Sequence, residues 1–151
     1  MMQQLFFDMT IRTQGKSLVP IEDLLMSEIR TRSLDSGLLT IWCKHTGASL
    51  LVQANADDDV TADILSFFEE LAPKAPGRYR HKPDQPDNAP SHLRALLTQT
   101  QISVPVCDGL LPLGDVQSLY LFEHREAAKT RRLLVHFIGE RLPDVTKMMV
   151  M

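Results

Sequence analysis

The sequence predicts an α+β fold, a single compact domain over residues 1–151 with a mostly antiparallel sheet and two or three helices. Strand-like patterns occupy both ends of the chain and helical periodicities occupy its middle, so the two do not alternate as they would around a parallel sheet. A length of 151 residues suits one hydrophobic core and is short for two domains. No internal repeat or low-complexity tract divides the chain.

From Gln4 to Thr13, Leu5, Phe7, Met9 and Ile11 share one face, while Gln4, Asp8, Thr10 and Arg12 share the other. That is the period of a half-buried strand, broken only by Phe6. Pro20-Ile21-Glu22-Asp23 starts a helix, with proline early and carboxylates in the first turn. Ile21, Leu24, Leu25 and Ile29 then recur at helical spacing. Gly37 closes a polar stretch, and Leu38–Cys43 forms a second strand. His45-Thr46-Gly47 separates it from a third apolar run, Ser49–Val52.

Asn55 to Asp59 supplies capping oxygens and acidic charge to a helix N-terminus, where both are favourable. Val60, Ile64, Phe67, Phe68 and Leu71 form a core-facing stripe on that helix. Residues 74–90 contain four prolines and read as an unusually long loop. Pro90 opens a short helix over Ser91–Leu97. Ile102–Val106, Leu119–Phe122 and Leu133–Ile138 are strands, and Pro105 marks the first as an edge strand or a bulge.

A net charge of −3 provides no basic footprint, so nucleic acid is not an expected partner. No apolar run approaches the roughly 20 residues of a membrane span, and the N-terminus lacks the features of a signal peptide. The expected location is therefore cytoplasmic, with no membrane partner. Cys43 and Cys107 lie in apolar runs and read as small buried hydrophobes.

Five histidines offer chemistry. No pair has HExxH spacing, but His45, His81 and His92 sit on three separate elements. Three such imidazoles could converge on one zinc and leave a position for water. His136, inside an apolar strand, reads as structural. Asp57-Asp58-Asp59 reads as a helix cap, and Asp84, Asp87 and Asn88 as turn formers or loop ligands. Glu123-His124-Arg125 and Arg131-Arg132 flank a strand pair, and arginines suit bidentate phosphate contacts. The sequence contains no GxGxxG, P-loop or GxSxG motif.

Several of these segments match one pattern in the right order. His45-Thr46-Gly47-Ala48-Ser49-Leu50, with Asn55 and Asp57, resembles the HT[ST]A[SA]L…NEN segment of the YjbQ family, also called the secondary thiamine-phosphate synthase family. Tyr79-Arg80-His81 resembles its Y-x-H, and Pro90-Ser91-His92-Leu93 its histidine-bearing helix start. Ser103-Val104-Pro105-Val106, Gly109, Leu113-Gly114 and Gln117 resemble its S-x-x-[IV]-P-[IV]…G…GTWQ stretch. Glu123-His124-Arg125, Arg131-Arg132 and Gly139-Glu140 are similar to its C-terminal part.

The resemblance implies a homotrimer with a pocket holding His45, His81 and His92, and a divalent metal there, zinc first and magnesium as the alternative. It implies a thiamine-phosphate-synthase-like transfer, joining a pyrimidine pyrophosphate to a thiazole phosphate with loss of pyrophosphate, or action on another phosphorylated small molecule. Glu123, Arg125 and Gln117 become the candidate catalytic residues; Asn55, His124, Arg131 and Arg132 become candidate ligand contacts. The alternative is a non-catalytic trimer that binds a metal or a small ligand. Three positions depart from the pattern. Gly47 replaces a hydroxyl residue, Gln53-Ala54 replaces Asn-Glu, and Asp115-Val116 replaces Thr-Trp. Loss of an aromatic and a carboxylate there implies weak thiamine-phosphate synthesis.

Overall fold

Alternation along the first segment becomes β1 (Gln3–Gln14), whose inward residues Phe7, Met9, Ile11 and Thr13 are all buried. The computed structural model describes residues 1–55 and 57–143. After β1 come β2 (Ser17–Pro20), α1 (Glu22–Thr31), β3 (Leu34–Cys43), β4 (Ala48–Ala54), α2 (Asp58–Leu71), α3 (Asn88–Leu97), β5 (Gln101–Val106), β6 (Gln117–Glu123) and β7 (Ala128–Arg141). Among the described residues no helix is long and apolar enough to cross a membrane.

Every strand pair is antiparallel. One sheet runs β1-β7-β3-β5 and the other β2-β6-β4. The core lies between them, where Leu39, Ile41, Leu133, Val135 and Phe137 of the larger sheet meet Leu50, Leu119 and Leu121 of the smaller. Ile21, Leu25 and Ile29 of α1 complete it. The strand edge expected from Pro105 is real, because β5 ends the larger sheet and needs no partner on its far side.

Several expectations are corrected. Pro20 belongs to β2, a four-residue strand too short to show a period, and α1 starts at Glu22. Gly37 lies inside β3 rather than before it. The long loop ends earlier, since α3 starts at Asn88 and carries Pro90 in its first turn. β7 continues through Arg131 and Arg132, because pairing to β1 over residues 128–139 satisfies its backbone whatever the side chains. Cys43 is buried as expected, but Cys107 is exposed in a tight turn.

The stripe on α2 is only partly covered. Asp57 caps the helix through the Val60 amide as expected, yet only Phe68 is buried, against Phe122. Phe67 remains 59% and Leu71 45% exposed. The outer face of the larger sheet is also apolar and uncovered. Phe6, Leu38, Trp42 and Ile138 are all more than two-fifths exposed there. Phe6 stacks on His136 with ring centres 4.5 Å apart, which gives both the disruptive Phe6 and His136 a place on that face.

Candidate functional site

The crossing from β3 to β4 is the segment His45-Thr46-Gly47, and three other segments hold it. The Arg132 amide donates to His45 Nε2 at 2.7 Å. His92 Nδ1 donates to the Thr46 carbonyl at 3.0 Å. The Gly47 carbonyl accepts from the His124 amide at 3.1 Å and from Arg131 Nη2 at 3.3 Å. A backbone bent between two sheets cannot satisfy itself, so each contact replaces a lost ladder bond.

Beneath the crossing, Glu123 is fully buried and collects four donors. Arg131 reaches it through Nε at 2.7 Å and Nη2 at 2.6 Å, Thr13 Oγ1 at 2.6 Å, and the Arg125 amide at 3.1 Å. Both carboxylate oxygens are engaged, so Glu123 orients the crossing through Arg131 and is not free to act as an acid or base. Gly47 fits this arrangement. A Cβ there would lie 3.2 Å from Arg131 Nη2 and 3.4 Å from Arg125 Cγ, so the missing side chain leaves room for both arginines.

The long loop is bolted to the same end by Asp87, which is buried. Its carboxylate accepts from the Glu126 amide at 2.8 Å and faces Arg125 Nε at 3.3 Å. Burial alone would raise the Asp87 carboxyl, but that amide and the Arg125 guanidinium hold it below the usual carboxylate range. The neighbouring Asn88 Oδ1 takes His81 Nε2 at 2.7 Å. The loop also encloses a concavity of about 230 Å³ with Tyr79, His81 and Lys82 among its walls.

His81 and His92 face each other with ring centres 5.5 Å apart. Two imidazoles sharing a tetrahedral zinc at ~2.0–2.1 Å hold their ring centres roughly 5 Å apart, a spacing near that of this pair, whose planes are tilted by 49°. Their hydrogen bonds fit as well. His92 spends its N–H on Thr46, and His81 has Nε2 on Asn88, so each turns one ring nitrogen to an outer partner and leaves the other free. His45 does not fit in the same way, because its Nε2 lone pair is already used by the Arg132 amide. Among the described residues no three His, Cys, Asp or Glu side chains form a metal-binding group. Burial, followed by the charge of Arg131, lowers the His45 pKa from its ordinary value.

The remaining candidates divide. His124 is buried, bonded through Nε2 to Ser49 Oγ at 2.8 Å, and its pKa is lowered to about 3 by burial and then by Arg94 and Arg131. It is a neutral core group rather than a ligand contact. Arg131 is committed to Glu123 and Gly47, and Arg125 lies beside Asp87. Arg132 is exposed. Gln117 and Asn55 lie elsewhere: Gln117 pairs with Ala54 at one end of the β4–β6 ladder and Glu123 with Ala48 at the other. Six residues of strand separate those ends by about 20 Å. Gln117 Oε1 instead closes a turn onto the Gly114 amide, and Ala54, Asp115 and Val116 share that distant end. Within one chain these positions do not line the histidine site.

Two contributors escaped the sequence reading. Thr13 continues the inward register of β1, so a polar residue at a buried position was the signal that it meets a buried partner. Thr46 acts through its carbonyl, which no side-chain pattern reports.

Residues 7–140 match the family model described as UPF0047 protein YjbQ-like. A UPF0047 protein of Synechocystis is 39% identical over 132 residues, covering 87% of this chain and 90% of the relative. UPF0047 protein YjbQ of Escherichia coli O157:H7 is 30% identical, covering 87% of this chain and 96% of its own. Among solved structures, a conserved hypothetical protein of Thermus thermophilus aligns with a TM-score of 0.77 at 28% identity, covering 90% of this chain and 99% of that one. A protein of unknown function from Sulfolobus solfataricus shares the fold with a TM-score of 0.82 at 23% identity, covering 93% of this chain and all of that one.

Proposed function

The chain belongs to the YjbQ family, and from that membership we propose that it binds a phosphorylated small molecule at the His81–His92 end of the sandwich, with a divalent metal and a thiamine-phosphate-synthase-like transfer. The observation that carries this reading is the facing imidazole pair, each ring held by an outer partner and each keeping one nitrogen free. His81 and His92 would hold the ion, which supplies charge stabilisation to a departing pyrophosphate when bound. Arg132 and Lys44 supply exposed positive charge beside His45, and Asp87 fixes the loop that carries His81.

Zinc titration of the apo-protein tests the metal. His92→Ala should lose stoichiometric zinc, whereas His136→Ala on the outer sheet face should retain it. Equal zinc content in the two variants would remove the site. A turnover assay on phosphorylated substrates then separates the enzyme from the non-catalytic reading. The sequestration of Glu123 favours that second reading, because it removes the candidate catalytic carboxylate from proton transfer.

The reading includes a homotrimer. Phe6, Leu38, Trp42 and Ile138 form an apolar face on the larger sheet, and faces of this kind mark association surfaces. Trp42→Lys places a charge on that face, and light scattering should then report monomer mass where the parent reports three chains. A parent that scatters as a monomer at micromolar concentration would end the proposal.

A further inference from the structure

We propose that His45 binds the anionic part of a ligand as an Nδ1–H donor and is not the third metal ligand. This rests on the reading of the histidine end as a ligand site. A neutral imidazole carries one N–H and one lone pair. The Arg132 amide can only donate, and it reaches His45 Nε2 at 2.7 Å, so the lone pair is on Nε2 and the proton on Nδ1. A metal needs the lone pair that Nδ1 lacks in this form. Turning the ring over to supply one would leave the Arg132 amide without its acceptor.

What Nδ1–H can meet is an oxygen, and its neighbours choose the charge of that oxygen. Lys44 and Arg132 lie side by side, joined by the Lys44 amide and the Arg132 carbonyl at 3.3 Å. Neither side chain pairs with a carboxylate among the described residues. Asp8, on the same outer face, stands one row further along, opposite Leu134. One neutral donor and two unpaired cations suit an oxyanion such as a phosphate or a pyrophosphate. The three-histidine pocket thus becomes two metal-facing imidazoles and one anion-facing imidazole.

Nitrogen-15 NMR of the metal-free chain reads the tautomer directly, and the proton is expected on Nδ1 of His45. His45→Ala should keep the zinc stoichiometry that His92→Ala loses, yet bind inorganic pyrophosphate about tenfold more weakly. His45→Asn retains an N–H donor near the Nδ1 position and should recover most of that affinity. A proton found on Nε2, or zinc lost equally in His45→Ala and His92→Ala, would overturn the assignment. Unchanged pyrophosphate affinity in His45→Ala would overturn it while leaving the zinc site intact. A parent chain that takes neither zinc nor pyrophosphate would remove the site reading and this assignment together.

Discussion

Replacing Arg131 by Met is expected to cost about 3–5 kcal/mol of folding stability, the range for breaking a buried ion pair from one side. The cost comes from what remains. Glu123 is fully buried and would keep only the Thr13 hydroxyl and the Arg125 amide, losing both guanidinium contacts at 2.6 and 2.7 Å. A desolvated carboxylate without its counter-charge is among the few single changes that can consume most of a domain's stability. The double variant Glu123→Leu with Arg131→Met should recover most of the loss, because well-packed apolar pairs often match or exceed a buried pair. Urea unfolding with an unchanged slope provides the measurement. If the single and double variants unfold at the same midpoint, the buried charge is not what matters and the pair is only filler.

This contrast also explains why the site was half legible in the sequence. His81 and His92 could be singled out because imidazole chemistry belongs to the residue itself. Which nitrogen of His45 carries the proton depends on a backbone amide 87 positions away, and no local pattern encodes that. Glu123 and Arg131 were visible as charges but not as partners, since burial inverts their use: an exposed pair could act on a ligand, whereas this one is spent on holding Gly47. Gln117 and Asn55 match the family pattern, yet the β4–β6 ladder carries them to the opposite end. Motif order along a chain does not report which end of a strand a residue occupies.

The fold was easier to read where one face is buried and the other is not. β1 alternates along its length because only one of its faces meets the core. α2 misleads for the converse reason. Its apolar stripe has a helical period, but the chain alone covers only Phe68, leaving Phe67 exposed. Periodicity reports that a face needs covering and not what covers it. The strands run through Arg131 and Gly37 where the sequence pattern predicts breaks, because cross-strand pairing accommodates both a charge and a glycine.

Gly139→Ala is expected to destabilise the chain by about 3 kcal/mol or more, at the upper end of overpacking effects, because the added methyl meets backbone. Gly139 stands directly opposite Gly37 in the β7–β3 ladder, next to the register shift between Leu34 and Ser36. A Cβ on Gly139 would lie 2.3 Å from the Ser36 carbonyl oxygen, 2.6 Å from Gly37 Cα and 2.7 Å from Phe137 Cζ. The two glycines thus leave a slot that the fully buried Phe137 ring covers, and the ring replaces the side chains the pair lacks. Ring and backbone can be separated experimentally. In a Phe137→Leu background the ring contact is gone but the Ser36 and Gly37 contacts persist, so Gly139→Ala should cost less there without becoming neutral. A coupling of about 0.5–3 kcal/mol is the expected size for residues in direct contact. Strict additivity would show that the ring and the glycine pair are independent. A Gly139→Ala variant that melts with the parent would mean that the sheet shifts to admit the methyl, and that the close approach of β3 and β7 is not required for stability.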